Sequence, residues 1–192
     1  MDIEYEATFL DVDKAEARKK FKAAKATLIK PEFLQKRDVF FLPDKRRNAW
    51  LRVREEADKK ITFSLKIIDG KKINDQKEIC LEVDNYKKTV ELLKKIGCEW
   101  KGYQETRREL WMLDGVELTI DEWPFLEPFV EVEGPSEKKV KSVCKKIGFD
   151  YSKALFCAIG ELYKMKYGVS LTSINNKTPR ITFKTKNPFT KN

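Results

Sequence analysis

Glu4 and Glu6, Glu131 and Glu133, and Glu78 and Glu82 form three pairs of carboxylates in short stretches that alternate like β-strands. Successive strand side chains point to opposite faces, so each pair shares a face. In the first stretch Ile3, Tyr5, Ala7 and Phe9 alternate with Asp2, Glu4, Glu6 and Thr8. Clustered carboxylates hold Mg²⁺ or Mn²⁺, which prefer oxygen ligands. Other strands set cations opposite their apolar side. In 49–54 these are Arg52 and Arg54 with Trp50, and in 61–67 Lys66 joins Thr62 and Ser64. In 116–121 Glu117, Thr119 and Asp121 oppose Val116, Leu118 and Ile120. In 35–41 Asp38 shares a face with Lys36 and Phe40, and in 105–111 either Arg107 or Arg108 takes the charged side. Guanidinium and ammonium groups grip phosphate oxygens. Acids and bases on one surface therefore suit a metal–triphosphate complex.

Two architectures accommodate such strands. One is a sheet whose apolar face lies under helices while its charged face meets water, laced with cross-strand ion pairs. The other is a barrel whose charged faces line an interior channel. A sheet of this many strands usually closes or is covered, and the pattern by itself leaves both open.

The elements that position these residues can be read along the chain. Strands are expected at 2–9, 34–42, 49–55, 60–67, 77–83, 99–113, 115–122 and in the segment FVEVEG. Asp114-Gly115 is a strong hairpin turn. Helices are expected at 12–26 with Asp13 as N-cap, after Asp84 or Asn85 as far as Gly97, from Ser136 to Gly148, and at 152–167. Hairpins and one-sided amphipathy give an α+β class. Residues 1–168 read as one domain. Residues 169–192 read as a polar, basic tail, either disordered or adding RITFK as an edge strand.

Composition narrows the function. The 192 residues include 40 Lys+Arg against 31 Asp+Glu, a net charge of +9 that suits acidic partners. The charge is spread along the chain, so nucleic acid is not expected, and the lysines of 12–26 read as a solvated helix face. With no histidine, His-based catalysis and His-ligated metal are excluded. Cys80, Cys98, Cys144 and Cys157 lack CxxC spacing, so free thiols in a reducing compartment are expected. No run of ~18 apolar residues appears, and with no signal peptide the expected location is cytoplasmic, with no membrane partner.

EYEAT, LRVR, the lysine of FSLK, ETRRELW, LTIDEW and FVEVEG occur in an order that resembles the CYTH group of the triphosphate tunnel metalloenzymes, over roughly residues 1–165. That group includes class IV adenylyl cyclases, thiamine triphosphatases and tripolyphosphatases. The resemblance implies an eight-stranded antiparallel β-barrel with a charged tunnel and helices packed outside. It implies that Glu4, Glu6, Glu131 and Glu133 bind Mg²⁺ or Mn²⁺ with Asp121 assisting. Arg52, Arg54, Lys66 and Arg108 would grip phosphates, with Glu4, Glu6, Arg52 and Arg54 forming the catalytic group. Arg108 rather than Arg107 follows from a family basic pair spaced two apart, which matches Thr106 and Arg108. Glu78 and Glu82 would orient the cations, and Lys153 would match a basic residue of a C-terminal helix. The sequence departs from the family's ExExK at Thr8, which stands for the lysine, and again at Thr106.

The implied activity is metal-dependent hydrolysis of a triphosphate, whether inorganic tripolyphosphate, thiamine triphosphate or a nucleoside triphosphate, by a monomer or homodimer. One alternative is a class IV adenylyl cyclase, in which the ribose 3′-hydroxyl replaces water. Another is a non-catalytic module that binds polyphosphate or nucleotide, which Thr8 and Thr106 favour. Of the four tryptophans only Trp50 shares Arg52's face, where a nucleobase or thiazolium could stack.

Overall fold

The computed structural model describes residues 1–45 and 48–190. The chain opens with β1 (Asp2–Ile3) and β2 (Tyr5–Phe9), followed by α1 (Lys14–Ala23) and β3 (Thr27–Phe40). Next come β4 (Ala49–Glu55), β5 (Ile61–Ile68), β6 (Gln76–Val83) and α2 (Tyr86–Lys95). Then follow β7 (Trp100–Leu113), β8 (Val116–Glu122), β9 (Phe129–Gly134) and α3 (Glu137–Lys146). The chain ends with α4 (Ile159–Tyr167), α5 (Leu171–Lys177) and β10 (Arg180–Ile181).

The strands lie in the order β1-β6-β5-β4-β3-β7-β8-β9-β2. β1 and β2 are two pieces of one N-terminal run, interrupted at Glu4, yet they sit at opposite ends of that order. β1 pairs with β6 and β2 with β9, both antiparallel, so the run bridges the two edges of the sheet and closes it into a barrel. The Glu4 N–H continues the seam by donating to the Gln76 carbonyl at 3.0 Å. Among the described residues eight antiparallel runs thus form the wall, as the resemblance implies. The count rises to ten because the first run is broken and β10 pairs in parallel with β7. Closure leaves the wall with few unpaired edges.

The local chemistry accounts for the joints. Asp114 and Gly115 both adopt positive φ (54° and 77°), the geometry a two-residue hairpin between β7 and β8 demands. Asp13, Asn85 and Ser136 cap α1, α2 and α3 by accepting from the backbone N–H of Glu16, Lys88 and Lys139. β3 starts earlier than expected, at Thr27, and contains Pro31. The proline falls in a register irregularity between Lys30 and Phe33, where its missing N–H costs no ladder bond.

One C-terminal expectation needs correction, and of the two offered for 169–192 the added strand is the one found, with Arg180–Ile181 of RITFK paired to β7. Residues 152–167 do not form one helix. Tyr151–Lys153 make a single 3₁₀ turn, α4 starts only at Ile159, and Leu155 between them exchanges both backbone hydrogen bonds with Thr8 (3.0 and 2.9 Å). Pairing with the free side of β2 holds this stretch extended where periodicity suggested helix. Beyond Gly168 the chain forms α5 and β10 and buries Ile174, Ile181 and Phe189. Lys191 and Asn192, at the end of the expected tail, lie outside the described residues.

The apolar strand faces point outward, under helices. Ala7, Trp111, Leu118, Val130 and Val132 pack beneath α1 and α3 with Phe21 and Val140. Phe40, Leu51 and Val53 pack with Leu93 of α2. Trp123 and Phe129 are the exception: Phe129 pairs with Asp121 on the lumen side and Trp123 lies against Arg37, and both pack with Leu162 and Tyr163 of α4. The clusters under α1, α3 and α2 stabilise the wall from outside, and the α4 cluster meets the interior beside Arg37, which leaves the rest of the lumen to polar groups. Leu118 is fully buried in the first of these clusters. Leu118→Ala is expected to cost about 2–5 kcal/mol in urea unfolding. A loss below about 1 kcal/mol, typical of surface positions, would contradict an outward-facing core.

Candidate active site

Register fixes which side chains meet inside the barrel. Glu6 lies opposite Glu133, and Thr8 opposite Glu131. Arg108 lies opposite Asp121, Lys66 opposite Glu78 and Trp50, and Arg52 opposite Ser64. Residues two apart on each strand therefore line one lumen.

Within it, cations and acids are joined in pairs. Lys66 Nζ is 2.8 Å from Glu4 Oε2 and 3.9 Å from Glu6 Oε2. Arg52 donates to Glu78 Oε1 at 2.8 Å and to Ser64 Oγ at 3.3 Å. Arg108 makes a two-pronged contact with Asp121, 2.7 Å on each prong, and donates to Glu131 Oε2 at 2.7 Å. Arg54 donates to Glu56 Oε1 at 2.9 Å from Nε. Glu56, in the loop after β4, had no signal in strand alternation because it lies outside any strand.

Two expected residues lie elsewhere. Glu82 is exposed and 3.4 Å from Lys60, so of the expected acids on β6 only Glu78 reaches a lumen cation. Lys153 is exposed on the 3₁₀ turn rather than on a helix facing the lumen. Asp121, expected to assist metal, has Oδ1 engaged by Arg108 and Oδ2 shared by Arg108 and Thr119, so it holds Arg108 in place.

Sequence reading missed Arg37 and Gln35. Alternation in 35–41 singled out Asp38, but Asp38 faces outward, accepting from Tyr86 Oη at 2.8 Å and Trp100 Nε1 at 2.6 Å. The other parity of β3 places Arg37 opposite Arg54 and Gln35 opposite Thr106. Both are buried. The signal was the apolar Phe40, which belongs to the outer core with α2 and fixes Arg37 to the inside.

The electrostatics show how crowded the lumen is. Burial, then the charges of Glu6 and Asp121, push the Glu131 carboxyl well up. Burial, then Glu6, push Glu133 up to about 7. Burial raises Glu4 as well, against the pull of Lys66, while Arg52 holds Glu78 low despite its burial. Among the cations, burial and then Arg52, Arg54 and Arg108 drive Arg37 well below its ordinary value. Burial opposes the charge on Lys66 and Arg108 too, but their acid partners overcome it and raise both. One end of the lumen thus has too many acids in little space, and another too many guanidiniums.

The CYTH domain model matches residues 2–158, and the chain belongs to the CYTH domain family. Solved structures agree on the fold. A conserved hypothetical protein from Pyrococcus furiosus superposes with a TM-score of 0.69 at 22% identity, covering 83% of this chain and 99% of that one. A protein from Vibrio parahaemolyticus proposed as an adenylate cyclase gives 0.72 at 10% identity, covering 84% and 97%. A Hippeastrum protein proposed as an adenylyl cyclase, and described as having a dominant triphosphatase activity, gives 0.58 at 19%, covering 89% and 99%. No match was found among curated proteins. No helix among the described residues is long and apolar enough to cross a membrane, and all four cysteines are free.

The raised Glu133 carboxyl has a measurable sign. The folded chain keeps a proton there, between about 4.5 and 7, that the unfolded chain releases. That contribution to stability is present below the unfolded value and is lost as pH rises through about 7. Glu133→Gln keeps a neutral group at every pH. Its melting temperature is therefore expected to exceed that of the wild type by more at pH 8 than at pH 5, in chelator, by scanning fluorimetry. An equal difference at both values would contradict the crowding.

Proposed function

We propose that the chain is a divalent-metal-dependent triphosphatase that binds its substrate within the barrel. The observation that carries this reading is the convergence of Arg52, Arg54, Lys66 and Arg108 in one lumen with Glu4, Glu6, Glu131 and Glu133. Arginines and a lysine brought there by four strands match a chain of phosphates better than a single anion, because each phosphoryl group meets its own donor.

The acids suit a hard cation. Glu4, Glu6, Glu131 and Glu133 offer only oxygen, and the burial and mutual repulsion that raise Glu4, Glu131 and Glu133 would be relieved by a positive ion. Among the described residues no three carboxylates already converge on one point. Mg²⁺ typically takes one or two carboxylates and completes its shell with water and substrate phosphates. When bound, a divalent ion neutralises phosphate charge and polarises the phosphoryl group.

The residues of the chain do the rest. Arg52 and Arg54 hold phosphate oxygens, and Arg108, braced by Asp121, offers its guanidinium from across the lumen. A water attacks the terminal phosphorus as the bond to the bridging oxygen breaks, releasing phosphate and leaving a diphosphate. The proton that water gives up passes to the departing phosphate oxygen or to solvent. Catalysis of this kind is mostly positioning and charge stabilisation. Trp50, half-buried opposite Lys66, is placed for the organic group of a substrate that carries one.

A second reading, a module that binds a triphosphate without turning it over, draws support from Thr8 and Thr106 in place of basic residues. Both are buried, 3% and 1% exposed, so two lumen positions hold neutral side chains. A panel of tripolyphosphate, thiamine triphosphate and ATP, each with Mg²⁺ and Mn²⁺, separates the readings. Phosphate release is expected, abolished by Arg52→Ala or Glu133→Gln while the circular dichroism is unchanged. Wild-type rates in either variant would overturn the assignment. Cyclic AMP from ATP would make the enzyme a cyclase, and binding with an unchanged ligand would favour the module.

A further inference from the structure

Arg37 stands apart from the other lumen cations. It is 5% exposed, and among the described residues no carboxylate pairs with it. Its Nη2 donates to Gln35 Oε1 at 3.0 Å and to the Thr106 hydroxyl. That hydroxyl in turn donates to Gln35 Oε1 at 3.0 Å. With Gln35 Oε1 accepting twice, Gln35 Nε2 and Arg37 Nε remain as buried donors without a partner. The guanidinium carbon lies 4.7 Å from the ring centroid of Trp123, which fixes the plane of the group from the side of the α4 core.

The contrast with its neighbours is chemical. Arg52 has Glu78, Arg54 has Glu56, Arg108 has Asp121 and Glu131, and Lys66 has Glu4. Arg37 has two neutral oxygens, the repulsion of three guanidiniums and, against these, the pull of Asp121, whose carboxylate is bonded to Arg108 instead. A buried cation with no carboxylate bonded to it is costly to the fold. Two unmet donors beside surplus positive charge are complementary to an oxyanion, since neither group can accept a hydrogen bond.

We propose that Arg37 and Gln35 form a phosphate-oxygen site on β3 that takes one phosphoryl group of the substrate, a proposal that rests on the lumen being the triphosphate site. Arg37 thereby supplies, from β3, the positive charge that the basic position at Thr106 lacks on β7. Thr106 is small enough to admit the guanidinium and polar enough to hold it. The threonine is thus an exchange of position for the cation, and the lumen keeps its grip on phosphate.

Calorimetric titration of the full chain with inorganic tripolyphosphate, without metal and at fixed low salt, tests this. Arg37→Met is expected to weaken binding about tenfold or more, the scale of a lost charged hydrogen bond, while raising the melting temperature. Gln35→Glu would give Arg37 an internal carboxylate. It is expected to raise the melting temperature and weaken binding too, and it decides alone if Arg37→Met does not fold. Binding within about twofold of the wild type in either folded variant, with Arg52→Ala weakened, would overturn the role of Arg37 and leave the triphosphate reading standing. Weaker binding with a lower melting temperature in both variants would mark a structural role and overturn it equally. If the wild type bound no tripolyphosphate, or Arg52→Ala bound it undiminished, the triphosphate reading would fail and this site with it.

Discussion

Ionised groups enclosed in a barrel must be answered by opposite charge, because burial costs each of them several kcal/mol. The rest of the structure follows from that constraint. Lys66 with Glu4, Arg52 with Glu78, and Arg108 with Asp121 and Glu131 are mutual answers drawn from different strands. The compensation is uneven. Acids crowd around Glu6 and Glu133, and guanidiniums crowd around Arg37 and Arg54. A ligand with one cationic and several anionic centres fits both imbalances at once, and a metal-bound triphosphate has that form.

Such an interior needs a wall that does not depend on interior packing. Much of the cohesion lies outside, where α1 and α3 cover one arc of the cylinder and α2 another, while α4, α5 and the C-terminal residues pack on Phe129 and Trp123, on the side of the wall that carries Asp121 and Arg37. The N-terminal run closes the cylinder by pairing with β6 through β1 and with β9 through β2. Glu4 sits at the break between them, so the residue that interrupts the strand also presents its carboxylate to Lys66. Leu155 takes up the free side of β2 at Thr8, completing the wall where β6 no longer reaches.

Strand alternation made the strands and most of the lumen face legible, because apolar and charged residues on opposite faces differ sharply in type, and the resemblance to the CYTH group supplied the barrel. Glu4, Glu6, Arg52, Arg54, Lys66, Glu131 and Glu133 could be assigned to one face from that contrast. What failed had physical causes. Asp38 is an acid on the apolar side, satisfied by Tyr86 and Trp100 donors that are remote in sequence, so it disguised the parity of β3 and concealed Arg37. Glu82 continues the alternation of β6 beyond the point where the strand still faces the lumen cations. Residues 154–158 look helical in sequence, but a backbone pairing with Thr8 decides their conformation, and nothing local signals a partner so distant along the chain. The choice between an open sheet and a closed barrel also lay beyond alternation, since both give the same face pattern.

A lumen of this charge should receive a chain of phosphates. Phosphorus NMR of inorganic tripolyphosphate mixed with the protein, first in chelator and then with Mg²⁺, tests it most directly. Broadened or shifted resonances are expected on mixing, followed with metal by their replacement with those of diphosphate and phosphate. Sharp tripolyphosphate lines, unchanged at every protein concentration and after metal is added, would contradict it.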